Sequence, residues 1–245
     1  MRINDRKIHD LVGENHVYAA VLYYLGIGFY DYSEKTLGQV CEEKGLDAEA
    51  VVSRLESVGD RRDNEDLSLF TYPADLIVAY LKHTHYLFIK EKLPYLSTLI
   101  ERLPEKGQLF EDLKFIFPLF VEDFIHHIYE EEDTLFSYVL MLQDAVDGNV
   151  TPGKLFQKME DFSIQAFAIA HDVHDDEMSG IRKITGNYST ENTSDILLKV
   201  LYAELSDFEK ELITHARVEN EILFPKALML EKEVKRRWDN LTRLN

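Results

Sequence analysis

Two copies of the pattern His-x-x-x-Glu-x-x-x-Leu-Phe occur in the sequence, one beginning at His127 and the other at His215. Residues four positions apart lie on the same face of a helix, so each histidine stacks against its own glutamate, Glu131 or Glu219. An imidazole and a carboxylate placed in this way can share one cation or bridge two. The repeat therefore predicts a metal site built from two helices.

Both glutamates fall on helical stripes that are otherwise apolar. The stripe of Glu131 includes Phe120 and Phe124, and the stripe of Glu219 begins at Leu201; each advances by three or four residues at every step. A buried carboxylate without a counter-charge is strongly disfavoured, and a metal ion would compensate it. Buried ion pairs, or glutamates that face outwards at a curved helix end, are the alternatives. The repetition favours the metal.

Histidines on two further helical segments complete the predicted ligand set. His171 and His174 lie on one inward stripe of the third segment, together with Phe167, Met178 and Ile181. In the first segment the helical phase favours His85, which is in register with apolar residues, over His83, which shares its face with a lysine and a tyrosine. Three other histidines are not expected to bind metal: His9, His16 and His126.

The predicted donors suit iron, or less favourably manganese, because several imidazoles and two carboxylates leave room for an exogenous ligand. A structural zinc would need only four groups, and calcium or magnesium would prefer oxygen. A pair of ions bridged by Glu131 and Glu219 uses every donor. The predicted metal residues are His85, His127, Glu131, His171, His174, His215 and Glu219.

Long segments with helical periodicity must position these residues, and no strand alternation is evident, which predicts an all-α protein. Four long helices near 74–103, 111–146, 153–186 and 192–236 predict a four-helix bundle over residues 70–245. Residues 1–60 predict a small helical domain, with helical pieces at 17–25, 35–43 and 47–57 and Asp47 as an N-cap. The charged stretch from Gly59 to Ser68 predicts the linker between them.

Composition narrows the class of protein. The chain has 245 residues and a formal net charge of −18, which disfavours nucleic acid and anionic membranes as partners. A single cysteine, Cys41, excludes an internal disulfide framework and any cysteine-based metal cage. The amino-terminal residues contain no apolar leader segment. We therefore expect a cytoplasmic protein.

The segments HHIYEEEDTLF and HARVENEILFPKAL resemble the hemerythrin-like family, and within it the di-iron proteins that repair iron centres. The resemblance covers nearly the whole chain. It implies a hemerythrin-like bundle with an oxo-bridged pair of iron ions held by His127, Glu131, His215 and Glu219, and by a third-helix histidine that falls on His171. His174 is an additional histidine, and hemerythrin itself takes two from that helix.

The sequence departs from the family in two places. With the alignment anchored at Leu93-Pro94, the first-helix histidine of the family falls on Tyr86, so either His85 serves after a shift of one residue or a phenolate binds. The amino-terminal segment resembles the small domain of the repair proteins, but Tyr30 to Ser33 replace their twin cysteine. Thiol chemistry is therefore not expected in this domain, and Cys41 is interpreted as a packing residue.

The resemblance implies a role in nitrosative or oxidative stress, in which the site binds or reduces nitric oxide or supplies iron to damaged iron–sulfur proteins. A module that binds or senses oxygen reversibly is the alternative, favoured by His174 and the absent cysteines. A bundle without native metal is a third hypothesis. The residues do not decide whether the protein is an enzyme, nor its oligomeric state.

Overall fold

The structure is a computed structural model that describes residues 2–15, 17–59, 72–105, 107–149, 152–172, 176–191 and 193–243. Helices account for nearly all the regular structure of these ranges, which contain no β-strand beyond an isolated bridge between Lys7 and Thr36. The predicted all-α class is confirmed. In the same ranges, no helix combines the length and the apolar character needed to cross a membrane.

In the described residues, the α-helices are numbered in chain order and are separated by turns and by three π-helical segments. These π segments are Phe88–Lys92, Glu132–Phe136 and Glu219–Leu223, and each continues directly from one α-helix into the next. The α-helices are α1 (Ile8–Glu14), α2 (Val17–Tyr24), α3 (Leu37–Lys44), α4 (Ala48–Gly59), α5 (Ala74–Leu87), α6 (Leu93–Glu101), α7 (Gln108–Glu131), α8 (Ser137–Val146), α9 (Pro152–Asp161), α10 (Ile164–Asp172), α11 (Ser179–Ile184), α12 (Ile196–Val218) and α13 (Phe224–Arg243).

The chain groups into two compact units. The first comprises Met1–Glu65, Leu93–Phe117 and Ile181–Phe208, and the second comprises Asp66–Lys92, Pro118–Gly180 and Glu209–Asn245. This grouping of contacts is a different division from the predicted domains, residues 1–60 and 70–245, which stay a prediction.

Local signals define the helices of the first unit. A capping box begins α3, in which the Thr36 hydroxyl accepts from the backbone of Gln39 and the Gln39 side chain accepts from the backbone of Thr36. The helix ends at Gly45, whose φ of 65° is a left-handed conformation that favours glycine. Asp47 Oδ1 accepts from the backbone N–H of Glu49 at 2.9 Å, so the predicted N-cap of α4 is confirmed.

The second unit is a helical bundle with an apolar core. Buried side chains from several helices form one cluster, represented by Leu81 on α5, Leu142 on α8, Leu155 on α9, Ile164 on α10 and Ala227 on α13. Residues that continue the two apolar stripes beyond Glu131 and Glu219, among them Leu135 and Ile222, belong to this cluster, and their burial holds the helices together. Three of the predicted long helices occur close to their expected bounds, as 74–101, 108–146 and 196–243 with the π segments included.

The third predicted helix, 153–186, is wrong as a single element. Its described residues form α9, α10 and α11 instead, and the first break falls at Phe162 and Ser163. The Ser163 hydroxyl accepts from the backbone N–H of Ala166 at 3.2 Å and so begins a new helix. In the break, the Phe162 ring packs 4.8 Å from the ring of Tyr138, a contact that stabilises the interruption.

Candidate metal centre

Four side chains of the second unit converge in its interior. His85 lies in the last turn of α5, Glu131 ends α7, His215 lies near the end of α12, and Glu219 begins a π segment. Each is buried, with exposed fractions of 1% for His85, Glu131 and Glu219 and 8% for His215. One potential ligand atom of each lies within 4.8 Å of those of the other three.

The shortest distances join the ring nitrogens to each other and to the carboxylates. His85 Nε2 lies 3.0 Å from His215 Nε2 and 3.3 Å from Glu131 Oε2. On the other side of the group, His215 Nε2 lies 3.3 Å from Glu219 Oε1. Three helices thus direct electron-pair donors towards a common point, which is the arrangement that a metal cation requires.

The other nitrogens of the two histidines differ. His85 Nδ1 lies 3.0 Å from Glu132 Oε1, whereas His215 Nδ1 is buried and has no hydrogen-bond partner among the described residues. Burial by itself lowers the pKa of His85, because it disfavours the charged ring, but hydrogen bonds and charge from Glu131, Glu132 and Glu219 outweigh it and raise the pKa above the ordinary value. The carboxylates therefore stabilise the protonated form of the His85 ring relative to its neutral form.

All three π segments occur next to this group. Phe88–Lys92 follows His85 by one turn, Glu132–Phe136 follows Glu131 directly, and Glu219–Leu223 begins at Glu219 itself. A π turn closes its hydrogen bonds over five residues and changes the phase of the side chains on either side. Such turns are concentrated at functional sites, which agrees with a ligand cluster at the same level of the helices.

Aromatic rings enclose the group. The Phe136 ring stacks on the His85 ring with centroids 5.4 Å apart and planes 12° apart, and the Phe88 ring meets the His215 ring edge-on at 5.7 Å. The Phe124 ring packs against the Phe88 ring, with centroids 5.8 Å apart. These contacts restrict the imidazole planes and remove water, which strengthens every electrostatic interaction within the group.

His127 lies beside the group rather than within it. Its Nε2 is 3.0 Å from Glu131 Oε1, and 27% of its side chain is exposed. His171 belongs to α10, but its side chain lies outside the described residues, as does the whole of His174. The structure thus brings together four of the seven predicted ligands, with His127 in contact through Glu131. The ligand role of all seven stays a prediction.

The first-helix alternatives separate clearly. His85 is buried in the group, whereas His83 is exposed and the Tyr86 side chain is 57% exposed. The helical phase of α5 therefore identified the inward residue correctly.

Sequence reasoning missed Glu132, which reaches His85 from the neighbouring helix. Its only sequence signal was its position in the acidic run Glu130 to Glu132, next to the predicted ligand Glu131.

The donor set fits iron. Two carboxylates and two imidazoles, with a third imidazole beside them, match the mixed oxygen and nitrogen ligation of non-haem iron. Two anionic groups buried beside each other are costly unless protons or a cation compensate them. The buried His215 Nδ1, which has no hydrogen-bond partner among the described residues, is a further feature of a site arranged around a cation.

No family model matches the chain. Curated relatives from Yersinia pestis (strain Pestoides F) and Yersinia pseudotuberculosis serotype IB (strain PB1/+) are both named iron-sulfur cluster repair protein YtfE. Each is 22% identical over 200 residues, which covers 80% of this chain and 84% of the relative. The resemblance to iron-centre repair proteins that the sequence predicted is thus confirmed over most of the chain.

Proposed function

We propose that this protein holds two iron ions in its helical bundle and acts in the repair of iron–sulfur clusters during nitrosative or oxidative stress. The observation that carries the proposal is the buried convergence of imidazole and carboxylate groups from three helices. The names of the curated relatives supply the process. The proposed ligands are His85, His127, Glu131, His171, His174, His215 and Glu219.

The roles of the described ligands follow from their positions. Glu131 and Glu219 would supply the negative charge that holds the iron, and the distances of 3.3 Å from Glu131 to His85 and from Glu219 to His215 support this role. His85 and His215 face each other from α5 and α12 and fix the two sides of the site. Two iron ions bound here would supply one-electron redox chemistry and an open position for a diatomic molecule such as nitric oxide.

His127 gives the site a side that is accessible to water. Its ring is partly exposed while its Nε2 contacts the buried Glu131 carboxylate. Replacement of His127 by an incoming ligand at this exposed edge would open the site without disturbing the buried apolar core. This is the feature expected of a protein that passes iron to a damaged iron–sulfur protein, which we propose as the partner.

Metal analysis of the full chain, purified without oxygen, tests the proposal. We expect two irons per chain and oxo-bridge absorption after oxidation. His215→Leu should lose most of this iron, whereas His83→Leu, a matched change at an exposed histidine of α5, should retain it. Markedly less than two irons in the wild-type protein, with no such absorption, would refute the di-iron site.

The repair function needs a separate assay. A hydratase whose iron–sulfur cluster has been damaged by nitric oxide should regain activity when the iron-loaded protein is added. The His215→Leu protein and free ferrous iron at equal concentration are the controls. If free iron restores the hydratase as well as the loaded protein does, the repair function is wrong even where the metal site is correct.

Reversible binding or sensing of oxygen is the second candidate. It is favoured by His174, an additional histidine on the predicted third-helix stripe, and by Tyr30 to Ser33 in the place of the twin cysteine. Rapid-mixing spectra of the reduced protein with oxygen distinguish the two functions. A stable adduct that releases oxygen under vacuum supports the sensor, whereas prompt oxidation of the iron excludes it.

A further inference from the structure

Glu132 makes a contact with the candidate site that the ligand set does not include. Its Oε1 lies 3.0 Å from His85 Nδ1, and its Oε2 lies 3.7 Å from Lys82 Nζ. An ionised carboxylate can only accept hydrogen bonds, so the proton of this contact belongs to His85 Nδ1. The same ring turns its Nε2 towards Glu131 and His215. Two consecutive glutamates thus contact the two nitrogens of one imidazole.

We infer that Glu132 is a positioning residue that fixes the tautomer and the orientation of His85, so that Nε2 is presented to the metal. The inference rests on the proposed metal function. Metal-binding histidines characteristically donate their second ring N–H to a carboxylate or carbonyl, which orients the ring and increases its basicity. Glu132 supplies this acceptor from the helix opposite α5.

Two other contacts restrain the His85 ring, and a third restrains Glu132. The stacked Phe136 ring keeps the imidazole from tilting out of its plane, and the Glu131 carboxylate lies 3.3 Å from its Nε2. Lys82, one turn before His85 on α5, holds the outer oxygen of Glu132. The side chain of Glu132 is 27% exposed, so its charge stays partly solvated and costs less than the charges of the buried ligands.

The opposite histidine has no comparable support in the described residues. His215 Nδ1 is buried without a hydrogen-bond partner, although its Nε2 faces the same point as that of His85. The site is therefore asymmetric, with one histidine anchored by a carboxylate and the other held by packing. Loss of Glu132 should remove this difference between the two sides.

Cobalt binding to the metal-free full chain tests the role of Glu132, with Co²⁺ as a probe that does not oxidise during the titration. Glu132→Ala should bind Co²⁺ about 10–100-fold more weakly than the wild-type protein. The matched control is Glu130→Ala, an exposed glutamate two residues earlier in the same acidic run, which should bind Co²⁺ as the wild type does. Lys82→Ala breaks the outer ion pair alone and should have a smaller effect than Glu132→Ala.

A second readout reports the tautomer itself. In zinc-loaded protein labelled with ¹⁵N-histidine, the Nδ1–H proton of His85 should exchange slowly with water, and this protection should disappear in Glu132→Ala. Glu132→Gln keeps an acceptor oxygen without the charge, so its Co²⁺ affinity should fall between those of Glu132→Ala and the wild type. If the alanine variant fails to fold, the glutamine variant carries the same test.

The outcomes separate the inference from the function on which it rests. Equal Co²⁺ affinities for Glu132→Ala and Glu130→Ala, in a wild-type protein that binds the metal, would overturn the positioning role and leave the metal site intact. Failure of the wild-type protein to bind either Co²⁺ or iron would overturn both. A weakened affinity with unchanged exchange of the Nδ1–H proton would also overturn the positioning role.

Discussion

Replacing the buried carboxylate of Glu219 by an amide is expected to stabilise the metal-free protein while it weakens metal binding. Glu219 is 1% exposed, and a ligand atom of Glu131 lies within 4.8 Å of it. The two carboxylates therefore repel each other unless protons or a cation compensate them. Glu219→Gln removes one of these charges and keeps the size and shape of the side chain.

The magnitude follows from these distances. Two unit charges 4.8 Å apart interact by about 3.5 kcal/mol at an effective dielectric constant of about 20. A positive charge on a neighbouring histidine would offset this repulsion, since His215 Nε2 lies 3.3 Å from Glu219 Oε1, but the desolvation cost of the carboxylate would remain. Glu131 and Glu132 still accompany His85 in the variant. Because the neutral amide is less costly to desolvate than the carboxylate, we expect the free energy of unfolding of the metal-free protein to rise by about 1–3 kcal/mol.

Urea unfolding followed by circular dichroism provides the assay, with and without a chelator. Ferrous iron at about 100 times its dissociation constant should stabilise the wild-type protein by about 3 kcal/mol and the variant by much less. Glu221→Gln is the matched control, because Glu221 lies in the same π segment with 64% of its side chain exposed. A metal-free Glu219→Gln protein that is less stable than the wild type would refute the reasoning.

Three further predictions concern other parts of the second unit. His85→Ala should remove most of the bound iron, and Tyr86→Ala should leave the iron content unchanged, because His85 is buried in the group and Tyr86 is exposed. Metal analysis that finds equal losses of iron in the two variants would contradict this prediction. Tyr138→Phe should lower the free energy of unfolding, measured by urea titration, by about 1–3 kcal/mol, because the buried hydroxyl donates a hydrogen bond to Glu231 at 2.5 Å. An unchanged free energy of unfolding would count against this contact. Hydrogen bonds from two arginines of the following turn lower the pKa of Glu233 to about 2. Its contribution to the free energy of unfolding is therefore present above about pH 4.5 and lost as the pH falls through about 2. A carbon-13 titration that places this pKa near 4.5 would contradict the prediction.

Helical phase accounts for most of what the sequence predicted. Glu131 and Glu219 were expected in the interior because each continues an apolar stripe, and both are 1% exposed. The same reasoning placed His85 inwards, and His83 is exposed as expected. Phase is available from sequence because every residue of a helix turns by the same angle. It identifies which residues face the core, though not which of them touch.

The features that helical phase did not predict depend on contacts between helices. The break at Ser163 depends on a serine that caps a new helix and on the packing of Phe162 against Tyr138, which is distant in sequence. Glu132 lies one residue beyond the stripe of Glu131, so its role depends on where α5 lies beside it. Neither feature has a periodic signature. His127, although in phase, has 27% of its side chain exposed, which the periodicity does not predict.

The π segment Phe88–Lys92 has a consequence for how this chain is compared with others. It lies between His85 and Leu93-Pro94, the anchor from which counting back placed the expected histidine on Tyr86. A π turn accommodates one residue more than an α turn, so it acts as a single-residue insertion hidden within an unbroken helix. Residues on its amino-terminal side are displaced by one in an ungapped alignment while their side chains keep their place in space. In a comparison with a helix that lacks this turn, Tyr86 would take the histidine's position in the alignment, and His85 would take its place in space.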